Sequence, residues 1–258
     1  MTKCLTRGHH RATLRASKRL IPQRKGGGVN TVVGAIGTVA IGALTVGAAV
    51  LVLHSAPTEP PLLAATVTGT TTSTPGVTTT ASIELATYPD SSAITYRRTN
   101  GGAGPHPDWV SYGPTTNLQV PAHTLVTVTI KQYDSGEAIP NAFLAEVHGT
   151  VGGTITIDGK AVKGIDPEHV GHTFTIHNFP STKQDPLFVS VPLPATPDDA
   201  PNAPGTDFPA PHVVTFQFVT GGPGTYAWNC EFPCGDNYAN FGGAMSSYGY
   251  MSGTLHVV

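Results

Sequence analysis

The chain has 258 residues, of which 39% are hydrophobic and 12% are charged, so it can form one sizeable domain with accessory segments. Its 30 glycines and 23 prolines favour turn-rich β structure over helices, which need periodic runs of Leu, Ala, Lys and Glu. The formal net charge is −2, and eight basic residues fall within the first 25 positions, so the remainder is acidic. This distribution disfavours nucleic-acid binding by the folded part.

The N-terminal region predicts a membrane anchor. Residues 1–28 are basic, and residues 29–54 contain an uncharged apolar run about as long as a bilayer-spanning helix. Because positive charge precedes this run and acidic sequence follows it, the N-terminus is expected in the cytoplasm. We therefore predict a single-pass protein of the cell membrane whose C-terminal domain is extracytoplasmic. A cleaved signal peptide is the alternative.

Residues 55–82 are rich in Thr, Pro and Ala and carry a single charged residue, Glu59. This composition is typical of an extended linker. The folded domain is accordingly predicted over residues 83–258, and its first strand is expected within residues 83–96.

Short segments with period-two polarity follow along the domain, as expected for strands half-buried in a sheet. Predicted strands cover residues 125–130, 153–157, 172–177, 187–193, 212–219, 225–230 and 253–258. Asp158-Gly159 predicts a tight hairpin turn. The glycine-rich turn at residues 221–224 predicts a second hairpin, which pairs residues 212–219 with 225–230. Seven or eight short strands at this spacing predict an all-β Greek-key sandwich.

A cluster of sulfur-containing residues lies near the C-terminus. Cys230 and Cys234 are separated by three residues, and Met245 and Met251 follow them. Thiolates and thioethers form a soft ligand set that selects copper over hard cations. Outside the cytoplasm the two cysteines can instead form a disulfide.

One histidine is expected to point into the core. In the strand over residues 172–177, His172 shares its face with Phe174 and Ile176, whereas His177 faces outward. His172 is therefore either a hydrogen-bonded core residue or a ligand. A zinc site formed with the two cysteines would lack the usual structural spacing.

Two segments resemble the cupredoxin family. Residues 224–230 (GTYAWNC) and 249–257 (GYMSGTLHV) are similar to its C-terminal signature, and residues 170–176 (VGHTFTI) are similar to its upstream ligand strand. The Cys-x-x-x-Cys-Gly spacing resembles the dinuclear copper site of cytochrome c oxidase subunit II. The similarity covers roughly residues 147–258.

The resemblance implies copper as the cofactor. It implies His172, Cys230, Cys234 and Met251 as ligands, with a backbone carbonyl from Phe232. No histidine occurs between Cys230 and Met251, where the family pattern has one. Met245 or His212 would then complete the site, or the site is altered.

We accordingly predict a membrane-tethered, copper-binding cupredoxin that transfers single electrons in an envelope redox or respiratory chain. Its expected partner is a redox protein or an oxidase. The alternatives are a Cu(I) carrier or sequestration module and a metal-free, disulfide-stapled binding domain. Hydrolase motifs such as Gly-x-Ser-x-Gly are absent from the sequence, so an enzyme of that class is disfavoured.

Overall fold

A computed structural model of the chain describes residues 36–47, 60–90, 106, 108–136, 139–179, 183–235 and 243–258. The chain divides into two compact units, Met1–Ala56 and Pro57–Val258. In the first unit, residues 36–47 are helical. None of the helices in the described ranges combines the length and the apolar character needed to cross a membrane. The other residues of the predicted anchor, 29–35 and 48–54, lie outside the described residues.

The second unit is built from short β-strands. Within its described residues these are β1 (Leu62–Ala64), β2 (Thr66–Thr70), β3 (Thr79–Tyr88), β4 (Ser111–Gly113), β5 (Asn117–Val120), β6 (Thr124–Gln132), β7 (Ile155–Ile157), β8 (Lys160–Val162), β9 (Val170–Asn178), β10 (Val189–Pro194), β11 (His212–Val219), β12 (Gly224–Asn229) and β13 (Ser252–Val257). Single 3-10 turns occur at Val151–Gly153, Pro167–His169 and Ala244–Ser246.

The described strands form two mixed sheets. Sheet A has the order β1-β5-β13-β12-β9-β10, and sheet B has the order β2-β3-β6-β11-β7-β8, with β4 also paired to β3. Most pairs of neighbouring strands are antiparallel, but the pairs β1–β5, β5–β13 and β3–β6 are parallel. Side chains from both sheets contribute to one buried apolar cluster. The predicted all-β sandwich is therefore confirmed at the level of two packed sheets.

The predicted linker was wrong for its C-terminal part. Residues 62–82 contain β1, β2 and the first residues of β3, and they pair with β5, β3 and β6. Threonine is β-branched and favours extended backbone, so a Thr-rich segment forms a strand where a sheet edge accepts it. The folded unit thus includes residues that composition had assigned to the linker.

The predicted hairpin of residues 212–219 with 225–230 was also wrong in its pairing. The two strands exist almost as predicted, as β11 and β12, but they lie in different sheets. β11 pairs with β6 and β7, while β12 pairs with β13 and β9. Both edges of each strand are occupied by other partners, so the glycine-rich turn carries the chain from one sheet to the other.

The Asp158-Gly159 hairpin is confirmed. It joins β7 to β8, and both turn residues have positive φ, +49° at Asp158 and +81° at Gly159. This is the backbone geometry that Asp-Gly favours in a two-residue hairpin.

Aromatic side chains fill the space between the sheets. The ring of Phe174 on β9 lies 4.9 Å from that of Trp228 on β12 and 5.6 Å from that of Phe216 on β11. The indole of Trp228 is fully buried and donates its Nε1–H to the carbonyl of Thr116 at 2.9 Å. Burying each such side chain contributes roughly 1.5–3 kcal/mol. This packing holds the start of β9 beside the end of β12, where the candidate site lies.

Candidate metal centre

The candidate centre is formed where β9 begins and β12 ends. His172 is the third residue of β9 and is fully buried, as the polarity pattern predicted. Its Nδ1 lies 3.6 Å from the Sγ of Cys230, the residue that follows β12. Its Nε2 lies 2.6 Å from Oδ2 of Asp134, just beyond the end of β6. The imidazole is therefore held between a thiol and a carboxyl group.

Backbone contacts fix the position of Cys230. Its N–H donates to the carbonyl of Met251 at 2.8 Å, which ties the end of β12 to the segment before β13. Its Sγ accepts a hydrogen bond from the N–H of Thr173 at 3.5 Å. The Phe232 carbonyl, which the resemblance implied as a ligand, also lies 3.5 Å from this Sγ. The sulfur thus has defined neighbours on several sides.

Cys234 completes a buried group of three potential ligands. One donor atom each from His172, Cys230 and Cys234 lies within 4.8 Å of the other two, and all three residues are buried. Cys230 and Cys234 are both reduced, and no disulfide bond joins them. The 3-10 turn at Ala244–Ser246 holds the backbone of Cys234 in place, because the N–H of Ala244 donates to the carbonyl of Cys234 at 3.0 Å. A single metal ion can contact all three groups.

Cys230 and His172 each favour the charged form of the other. Burial by itself opposes ionisation of Cys230, but hydrogen bonds with Cys234 and His172 outweigh it and hold the pKa of the thiol well below its ordinary value. Burial likewise lowers the pKa of His172, yet its contacts with Asp134 and Cys230 raise that pKa to about 10. These two shifts favour the thiolate form of Cys230 beside a protonated His172. Metal binding must displace the proton from Nδ1, because a metal takes neutral imidazole.

The contacts described above do not show whether the sulfur of Met251 or of Met245 is a ligand. Met251 is fully buried, and its backbone carbonyl accepts the hydrogen bond of Cys230. Met245 belongs to the Ala244–Ser246 turn and is partly buried against the core. Ligation by either sulfur stays a prediction.

Among the described residues, His172 supplies the cluster's only imidazole. His212, considered above as a second one, contacts Asp158 instead, with 2.7 Å between its Nδ1 and Oδ2. His177 faces outward as predicted and contacts Oδ1 of Asn229 at 3.1 Å. Residues 236–242, which lie outside the described ranges, include no histidine in their sequence. The donor set is thus two thiols and one imidazole.

Sequence reasoning missed Asp134. It lies 38 positions before His172, so no local spacing connects the two residues. The available signal was the Tyr133-Asp134-Ser135-Gly136 sequence, which begins shortly after the predicted strand of residues 125–130 and is typical of a turn at the end of a sheet. That signal places a carboxyl group at a strand end without naming its partner.

No known family model and no curated protein matches this chain. Several solved structures are similar to it. The match to auracyanin B has a TM-score of 0.30 at 15% identity and covers 75% of this chain and 97% of that one. Rusticyanin from Thiobacillus ferrooxidans gives a TM-score of 0.29 at 15% identity, covering 69% and 82%. A further rusticyanin structure, described as a copper protein, gives 0.28 at 16% identity, covering 74% and 88%. Similarities this distant establish no family membership.

The chemistry of the donor set fits copper. Cysteine thiolates select soft metals such as Cu(I), and imidazole is a common copper ligand. Both cysteines are buried from solvent, and the lowered pKa of Cys230 favours the thiolate form that binds metals. Hard cations such as Mg²⁺ and Ca²⁺ require oxygen ligands, which this cluster does not provide.

Proposed function

We propose that this protein binds copper through His172, Cys230 and Cys234 and transfers single electrons. The observation that carries the proposal is the convergence of these three donors within 4.8 Å in the buried end of a β-sandwich. The cupredoxin-like sequence signature of residues 170–176, 224–230 and 249–257 supports the same function. Met251 would add the thioether, with Met245 as the alternative.

The residues of this chain suit a site that changes charge with little movement. Copper would supply the Cu(I)/Cu(II) couple. His172 is fixed within β9, and Cys230 is held at the end of β12 by its hydrogen bond to Met251. Burial keeps water away from the sulfur atoms. A ligand on a strand, as His172 is, keeps its geometry better than a ligand on a loop. Cys234 lies on no strand, but its carbonyl is held by the N–H of Ala244.

We further propose that the protein works at the outer side of the cell membrane. The basic residues 1–28, the apolar segment 29–54 and the acidic remainder of the chain support this orientation. An extracytoplasmic copper protein tethered in this way would exchange electrons with another redox protein or an oxidase in the same envelope.

A Cu(I) carrier is the second candidate. It is favoured by one specific observation, namely that the cluster contains two thiols but one imidazole. Two thiolates and one imidazole suit Cu(I), whereas fast electron transfer generally needs a site that suits both oxidation states. Copper would then be bound and released without changing its charge.

The test uses the full-length protein, purified with reductant and detergent and then titrated with Cu(II) and Cu(I). For electron transfer we expect an intense thiolate-to-copper absorption band and a copper EPR signal. Cys230→Ser should remove the band and weaken Cu(I) binding roughly 100-fold or more, which corresponds to about 2.7 kcal/mol. Cys4→Ser is the matched control, because Cys4 belongs to the basic N-terminal segment and to none of the family-like sequence segments, and this variant should behave like the wild type.

The outcomes separate the three functions. Tight Cu(I) binding without a coloured Cu(II) form would contradict electron transfer and favour the carrier. No bound copper, together with a Cys230–Cys234 disulfide in the protein as purified without reductant, would contradict both copper functions. That last result would favour the metal-free binding domain.

A further inference from the structure

We propose that Asp134 is a positioning residue that fixes the His172 imidazole with Nδ1 directed at the cysteines. This inference rests on the proposed copper function and adds to it the group that orients the histidine ligand. Nothing in the family-like sequence segments points to Asp134, because it lies upstream of all of them.

The contact between the two side chains is short and shielded. Oδ2 of Asp134 lies 2.6 Å from Nε2 of His172, and the exposed fractions of the two side chains are 12% and 0%. An imidazole whose Nε2–H is donated to a carboxylate has only Nδ1 left for a metal. Nδ1 is the atom that lies 3.6 Å from Sγ of Cys230. The contact of Nε2 with Asp134 thus orients the ring so that Nδ1 faces the Sγ of Cys230.

Asp134 is itself held in place from three directions. Its Oδ2 accepts the N–H of Gly136 at 2.8 Å. Its backbone carbonyl accepts hydrogen bonds from Nε2 of Gln132 at 2.9 Å and from the N–H of Thr196 at 3.0 Å. Because the backbone is fixed, the carboxylate can turn away from the imidazole only by also breaking its hydrogen bond with the N–H of Gly136.

The segment that carries Asp134 also packs directly on the strand that carries His172. Gly136 has a φ of +66°, and a Cβ at this position would lie 2.2 Å from the carbonyl oxygen of Gly171. Gly171 immediately precedes His172, and a Cβ there would lie 3.1 Å from the carbonyl oxygen of Ser135. Two glycines therefore allow the backbones to approach closely enough for the carboxylate to reach the ring.

A second Asp–His pair in the protein has the opposite arrangement. Asp158 contacts Nδ1 of His212 at 2.7 Å, and both side chains are partly exposed. Among the described residues, Asp158 and His212 do not belong to a metal-ligand cluster. Asp158 therefore provides a matched control for the removal of a carboxylate from a histidine.

The experiment measures Cu(I) affinity of the full-length reduced protein in competition with a chromophoric Cu(I) chelator. We expect Asp134→Ala to weaken Cu(I) binding about 10- to 100-fold, the usual effect of removing the partner of a histidine ligand. Asp134→Asn keeps an oxygen acceptor and should recover part of this loss. Asp158→Ala should bind Cu(I) like the wild type.

A spectroscopic measurement on the metal-free protein accompanies the titration. In ¹⁵N-labelled wild type, the Nε2–H of His172 should give a slowly exchanging downfield proton signal, which Asp134→Ala should lose and Asp158→Ala should keep. Equal Cu(I) affinity in Asp134→Ala and wild type, or an unchanged His172 signal, would overturn the inference. If Asp134→Ala does not fold, Asp134→Asn decides, since an affinity equal to wild type would also overturn it.

The two hypotheses fail in different ways. If the wild-type protein binds no Cu(I), the proposed function and this inference both fall. If the wild type binds Cu(I) and the Asp134 variants bind it equally well, only the inference falls.

Discussion

At the scale of single residues, the centre depends on three ionisable groups whose charges are mutually dependent. The Asp134 carboxylate faces one nitrogen of His172, and Cys230 faces the other. An isolated buried charge is strongly unfavourable. The charge of His172 therefore stabilises those of Asp134 and Cys230, and they stabilise the charge of His172. Removing one of them should therefore change the ionisation of its neighbours.

The first prediction concerns the thiolate of Cys230 in the metal-free protein. Burial opposes its ionisation, and His172 is one of the groups that lower its pKa. In His172→Ala the burial persists without that donor and charge, so the Cys230 pKa should rise. The ultraviolet thiolate absorbance near neutral pH should then fall below that of the wild type. His177→Ala, on the outer face of the same strand, is the control, and a loss of equal size in that variant would contradict the prediction.

The second prediction concerns pH and the Asp134 carboxyl group. Although burial opposes its ionisation, hydrogen bonds with His172 and Gly136 hold its pKa below the ordinary 3.8. A lowered pKa in the folded state means that the carboxylate stabilises the fold above about pH 3.8. This contribution is lost as pH falls through the folded pKa. Asp134→Asn should therefore lower the free energy of unfolding by about 1–3 kcal/mol at pH 7.

Urea unfolding at pH 7 and at acidic pH checks the sign of this effect. The difference between wild type and Asp134→Asn should narrow as pH falls, because the wild-type carboxyl group becomes neutral. Asp158→Asn is a suitable comparison and should have a smaller effect, since its side chain is half exposed and screened by water. A difference that is independent of pH would show that the charge of Asp134 does not contribute.

At the scale of elements, the site depends on how closely the 133–136 segment approaches the start of β9. Gly136→Ala combines two unfavourable features, a positive φ and an overlap with the carbonyl oxygen of Gly171. Gly76→Ala has a similar φ of +77° but no atom within 4 Å of the added Cβ. The backbone strain alone costs about 1–2 kcal/mol. Gly136→Ala should therefore destabilise the protein clearly more than Gly76→Ala.

Denaturant unfolding of the two alanine variants measures this difference, and Cu(I) titration measures its effect on the site. We expect Gly136→Ala to weaken Cu(I) binding as well, because the overlap pushes Asp134 away from His172. Equal stability of the two variants would mean that the segment tolerates displacement from β9.

At the scale of the whole molecule, the boundary of the folded unit lies before the boundary predicted from composition. A fragment of residues 57–258 contains the complete second unit, whereas a fragment of residues 83–258 lacks β1, β2 and the first four residues of β3. Each lost strand hydrogen bond contributes roughly 1 kcal/mol. The shorter fragment should therefore unfold at a denaturant concentration well below that of the longer one. Equal midpoints would show that these strands add nothing to stability.

Local patterns were sufficient to locate most strands. Alternating polarity is a property of neighbouring residues, and it placed β6, β9, β11, β12 and β13 within a few positions of their observed bounds. The same pattern predicted that His172 points inward and His177 outward. The residue types also identified two cysteines and one histidine as candidate ligands, and the structure brings these three together.

Pairing between strands could not be predicted in the same way. β11 and β12 are adjacent in sequence, yet each finds its partners in a different sheet. The partners of a strand depend on which edges remain free after the other strands have paired, and that competition involves the whole chain. The same reason explains why β1 and β2 were assigned to the linker. Their composition is typical of a linker, and they form strands because β5 and β3 offer edges to pair with.

The sequence by itself determined the all-β class, the positions of most strands and the donor types that suit copper, since these follow from local alternation and side-chain chemistry. Only the tertiary structure decided that Asp134 meets His172, because their contact joins the end of β6 in one sheet to the start of β9 in the other. It also supplied the physical reason why Cys230 lies beside that imidazole, as the family resemblance had implied, since β12 pairs with β9 rather than with β11. Contacts between distant residues depend on the packing of both sheets, which no local pattern encodes.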